Sequence, residues 1–336
     1  MAPKSLILFT CGILLFLNSQ LSFSQSLSIM TKQTYIQPPF LSIGDTIAIV
    51  APAGQLGSKS EAVDLAIKQA QSWGLNVVVG ANILEAEGHF AGADDRRLSI
   101  LQSLLNDPSI KAIWCARGGY GSMRIMDELD YMSFTKHPKW FIGYSDITAF
   151  HSQLHKLNYE SIHGMMAVNF ENEYSEIETS ISSLYDALFG NVLKFHFDPS
   201  PQNQNGSVTA PVIGGNLTLL SALLGSKSTI DYTGKIVFLE EIGEYMYQID
   251  RMLQSLKRAG VFEKCSGVLV GDFSNIKKNS PEFEKSIEEV IVEAVGRKDI
   301  PIAFGFPAGH ENENRAFYFG KLATLLVTKQ SSSLEY

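Results

Sequence analysis

Cysteine is nearly absent from this chain: its 336 residues include three, Cys11, Cys115 and Cys265. That excludes a disulfide framework, and no CxxC spacing is present to suggest a zinc or redox module. Cys115 in IWCA and Cys265 in EKCSGV lie in apolar surroundings without a neighbouring histidine, so both read as buried thiols and not as nucleophiles. HExxH, EF-hand and P-loop patterns are also missing, which leaves no motif-borne metal or nucleotide chemistry. Dense basic runs do not occur. With a formal net charge of -8 and a pI near 5.4, the chain is a poor match for nucleic acid or an anionic membrane.

The N-terminus departs from this pattern. MAPK is a short positive segment, SLILFTCGILLFLN an apolar one, and SQLSFSQS supplies small residues around Ser22 and Ser24. This order predicts a signal peptide over residues 1–24, export to the periplasm and no stable membrane insertion after cleavage. Initiation at Met30 would instead leave a cytoplasmic protein.

Over its full length the chain is 45% apolar and 18% charged, ordinary for a soluble globular protein with room for two domains. From TIAIVAPAG (46–54) onward, β-branched runs alternate with helical spacings. NVVVGANI, KAIWCARGG and KWFIGYS read as strands, and SKSEAVDLAIKQAQSWG, DDRRLSILQSLLNDPSI and DITAFHSQLHKLN as helices. Repeated βα units predict a parallel sheet over 45–170. The polar, turn-rich PSPQNQNGS ends a linker region at 171–207. A second, smaller mixed domain over 208–330 contains the strands KIVFLEE and GVLVGDF, and NRAFYFGKLATLLVT reads as a hairpin.

Ligands of parallel α/β sheets gather at the carboxyl ends of strands. Four such ends carry chemistry: RGGYG from Arg117, GYSD with Ser145, LEE with Glu240 and Glu241, and PAGH with His310. A serine nucleophile needs a base in hydrogen-bond reach, a third group to orient that base, and N–H donors for the oxyanion. Ser145 on a strand-to-helix turn fits the first role, and the amides of Asp146 and Gly119 fit the last. Each has a plainer reading: Ser145 or Asp146 as a helix cap, RGGYG as a tight turn, the two glutamates as a solvated strand end. GxSxG is not matched, because Ile147 stands where glycine belongs. Among seven histidines, His89, His137, His151, His155 and His196 read as surface or boundary residues, leaving His163 and His310 as rival bases.

In their order along the chain, IAIVAPAG, WCARGGYGSMRIMDELD, FIGYSDITA, SIHGMMA, IGGNLTLLSALLGS, KIVFLEEIGEYMYQIDRMLQSL, GVLVGDF and FPAGHENEN resemble the LD-carboxypeptidases. These are serine peptidases of bacterial cell-wall recycling, with microcin-immunity relatives. The resemblance implies a triad of Ser145, Glu240 and His310, with Glu241 the second choice for the acid and His163 a pocket wall or structural residue. It implies oxyanion donors at Asp146 and Gly119, no metal or other cofactor, and a homodimer. The implied fold is a parallel-sheet N-terminal domain with a smaller β-rich, barrel-like C-terminal domain. The implied reaction is hydrolysis of the LD bond before the terminal D-Ala of muropeptide tetrapeptides. Selecting that terminal residue calls for a carboxylate-binding group, with Arg117, Arg124 and Arg315 as candidates. Two rivals are a microcin-immunity-like detoxifying peptidase and an exported binding protein without turnover. RAFYFG after the AGH turn and Met165 in SIHGMMA depart from the family pattern without touching a triad position.

Overall fold

The computed structural model describes residues 35–336, so the signal-peptide reading, Cys11 and Met30 lie outside the described residues. Its strands are β1 (Thr46–Val50), β2 (Asn76–Val79), β3 (Ile110–Cys115), β4 (Trp140–Gly143), β5 (Ser161–His163), β6 (Lys194–Phe197) and β7 (Gly206–Asn216). After them come β8 (Ile236–Ile242), β9 (Gly267–Ser274), β10 (Ile302–Ala303), β11 (Phe317–Phe319), β12 (Leu322–Val327) and β13 (Ser332–Glu335).

The first sheet runs β2-β1-β3-β4-β5-β11 and is parallel through β5. Its central strands β1, β3 and β4 are near-continuous apolar runs because both faces are covered, with Ile47 to Val50 fully buried, whereas the edge strand β2 is largely exposed. The chain moves from β1 outward to β2, then crosses back to β3 on the other side. That reversal opens a crevice beyond the carboxyl ends of β1 and β3, and the APAG and ARGGYG turns lie there.

The second sheet runs β10-β9-β8-β7-β12-β13-β6, parallel from β10 to β7 and antiparallel beyond. β7 changes partner along its length, pairing β12 through Gly206–Pro211 and β8 through Val212–Asn216. Its end strands β10 and β6 are not ladder partners; a single bridge joins Gln204 to Ile302. The two-domain α/β architecture therefore holds, with a mixed second sheet whose strand order is open at both ends.

Two expectations from the sequence fail. NRAFYFGKLATLLVT is not a hairpin: β11 turns away at Gly320 and pairs antiparallel with β5, while β12 pairs β7 and β13. The cause is non-local, since Phe317, Tyr318 and Phe319 are all buried in the first domain. The rings of Phe238, Phe306 and Phe317 meet at 5.0 to 6.1 Å and join the two sheets in one core.

The second failure concerns His151 and His155, which are buried and not surface residues. Their helix, Thr148–Lys156, is enclosed by the first sheet and by β7 of the second domain, so nearly every face of it is covered. His151 bridges Ser161 Oγ (2.8 Å) and the carbonyl of Gly143 (2.9 Å), which braces the end of β4. Burial lowers its pKa to about 4 and holds that of His155 well below the usual histidine value, so both are neutral. Cys115 and Cys265 are buried free thiols, as expected. Among the described residues no helix is long and apolar enough to cross a membrane.

Candidate active site

Ser145 follows Tyr144 just past the end of β4, where an apolar strand stops at Gly143 and a helical turn begins. Its φ is 61°, in the left-handed region that costs a non-glycine residue about 1–2 kcal/mol. Packing enforces the turn: a Cβ on Gly143 would lie 2.9 Å from Ile147 side-chain carbons. Gly118 abuts the serine from β3's turn, since a Cβ there would stand 3.2 Å from Ser145 Cβ and 3.3 Å from the Asp146 nitrogen. The Gly54 N–H donates to Gly118 O at 2.8 Å, so the β1 turn closes on the β3 turn. Among the described residues, neither the Asp146 nor the Gly119 N–H has a backbone acceptor.

The imidazole comes from the other domain. His310 ends the Pro307–Ala308–Gly309 turn, which Asp272 N fixes by donating to Ala308 O at 3.0 Å. Gly309 is required there: its φ is 148°, and a Cβ would fall 2.7 Å from Asp272 Cβ. His310 Nδ1 donates to Glu240 Oε2 at 2.7 Å. Glu240 is fully buried on β8, and its Oε1 has no protein partner. With the proton on Nδ1, Nε2 is left as an acceptor. Burial pushes the His310 pKa down, but Glu240, aided by Glu241 and Asp272, outweighs it and raises the pKa above the usual histidine value.

Tyr144 joins the two halves of the site. Its ring meets that of His310 edge-on at 4.9 Å, and its hydroxyl accepts from Asn169 Nδ2 at 3.0 Å. No hydrogen bond links Ser145 to His310 among the described contacts, and such bonds commonly tighten only around substrate.

The rival residues have other work. Glu241 Oε1 accepts from Asn216 Nδ2 and Ile242 N, and its Oε2 accepts from Thr218 N, so it secures the helix Leu217–Ala222. His163 is buried against Phe317 and Phe238, with Nε2 on Asn314 Oδ1 at 3.1 Å; that same oxygen accepts from Gly309 N. It therefore supports the His310 turn.

Two residues were not singled out as supports by the sequence. The Asp146 carboxylate, 2% exposed, accepts from Ser122 N at 2.8 Å and ties the Ser145 turn to the RGGYG turn. Arg97, fully buried, donates to Pro52 O (2.7 Å) and Gly121 O (3.0 Å), clamping the β1 and β3 turns together. Capping residues carry a local signal, but a long-range clamp does not. Asp146→Ala is expected to cost about 2 kcal/mol in chemical denaturation, the value of a buried charge-assisted hydrogen bond. Among the described residues, no group of three or more His, Cys, Asp or Glu side chains could hold a metal ion.

Comparison with known proteins places this geometry in context. The model for the LD-carboxypeptidase N-terminal domain matches residues 47–164, and that for the C-terminal domain matches residues 209–325. The "Probable murein peptide carboxypeptidase" of Bacillus subtilis is 33% identical over 303 residues, covering 89% of this chain and 94% of its own. The crystal structure of muramoyltetrapeptide carboxypeptidase from Oxalobacter formigenes superposes with a TM-score of 0.76 at 26% identity, covering 86% of this chain and 98% of that one. An MccF-like protein from Bacillus anthracis superposes with a TM-score of 0.78 at 25% identity, covering 89% and 98%.

Proposed function

Because this chain belongs to the LD-carboxypeptidase family, we propose that it is a serine carboxypeptidase cleaving the LD bond before the terminal D-Ala of muropeptide tetrapeptides. The hydrogen bond from His310 to buried Glu240, beside the strained turn of Ser145, carries this reading. His310 Nε2 takes the Ser145 proton as Oγ attacks the scissile carbonyl. Glu240 holds the tautomer and stabilises the imidazolium. The amides of Asp146 and Gly119 receive the developing oxyanion. His310 then protonates the leaving D-Ala nitrogen, and water hydrolyses the acyl-enzyme by the same route.

In this reading the enzyme acts in the periplasm as a homodimer, where peptidoglycan fragments are at hand. A disaccharide-free tetrapeptide is expected to release D-Ala, and its epimer ending in L-Ala to resist. Equal cleavage of both peptides would contradict the stereochemical assignment.

A further inference from the structure

We propose that Arg117 forms a subsite that recognises the free C-terminal carboxylate of the substrate; this rests on the carboxypeptidase reading above. An enzyme that removes one terminal residue must bind a group that internal residues lack. That carboxylate lies one carbon from the scissile nitrogen, so its site must adjoin the oxyanion donors.

A cleft of about 350 Å³ meets this condition, with Gly54, Gln55, Lys59, His89, Arg117 and Gly119 on its walls and no acidic residue among its lining. Arg117 Nε stands 3.9 Å from the position a Cβ on Gly119 would take. Arg117 Nη1 donates to Gln55 O, and Gln55 is itself held by its N–H on His89 O (3.0 Å) and its Nε2 on Gly88 O (2.6 Å). This fixes the guanidinium and leaves its Nε and Nη2 edge for a forked pair of hydrogen bonds to a carboxylate.

The competing cations are already engaged. Arg124 pairs with Asp94, Arg315 with Glu313 and Lys59 with Glu171, whereas Arg117 makes no ion pair among the described residues. The structure thus ranks three arginines that the sequence left equal.

The test compares kcat/KM for the tetrapeptide with that for its C-terminal carboxamide. Wild type is expected to favour the free acid. Arg117→Gln is expected to lower kcat/KM for the acid about 10- to 100-fold and bring the acid-to-amide ratio toward one. Arg117→Lys keeps the charge without the fork and should retain part of the ratio, which serves also if the glutamine variant folds poorly. An unchanged ratio in folded Arg117 variants would overturn the subsite while leaving the carboxypeptidase reading intact. Failure of wild type to cleave either peptide would overturn that reading and the subsite with it.

Discussion

Ser145→Ala is expected to lower kcat for D-Ala release by about 10^4- to 10^6-fold without unfolding the chain. In the proposed mechanism the hydroxyl is the atom that attacks, so its loss leaves only the residual rate that oxyanion donors and substrate binding would supply. Stability should change little, since alanine inherits the same φ of 61° and no hydrogen bond of the Ser145 side chain is lost among the described contacts. Ser145→Gly should be equally inactive yet at least as stable, because glycine relieves a left-handed strain of about 1–2 kcal/mol. Steady-state kinetics with chemical denaturation checks both. A folded Ser145→Ala protein within about tenfold of wild type would remove Ser145 from the chemistry.

Glu240→Gln is expected to lower kcat by about 10^3- to 10^4-fold. Glutamine keeps the volume and can still accept from His310 Nδ1, but it cannot neutralise the imidazolium. The pH profile should move as well. In wild type, Glu240 contributes to a His310 pKa above the ordinary value, so activity, which in the proposed mechanism needs the neutral base, is expected to fall as pH drops through that raised pKa. Without the carboxylate, burial dominates and the acid limb moves to lower pH. Glu241→Gln should instead lower stability, with no comparable shift of the acid limb, because Glu241 secures Asn216 and Thr218 and does not touch His310. A shifted limb in the Glu241 variant alone would exchange the two roles.

The βα alternation and the strand ends bearing Ser145, Glu240 and His310 were legible because they depend on local patterns: β-branched runs, glycine stops and polar residues where strands finish. Glu240 and Glu241 could not be separated by composition, since adjacent strand residues face opposite ways and only the partners on each face distinguish them. The burial of His151 and His155 was missed because it depends on which elements cover their helix from outside. The pairing of β11 with β5 was missed for the same reason: FYF signals a buried strand without saying which sheet receives it. Arg97 and the Asp146 carboxylate likewise bind turns far apart in sequence.

The most direct test is prolonged fluorophosphonate treatment of the full chain, following D-Ala release and mapping the adduct by mass spectrometry. One phosphonyl group on Ser145, with release falling in proportion to its occupancy, is the predicted result. Undiminished release from protein fully modified at Ser145, or loss of release with the adduct on another residue, would contradict it.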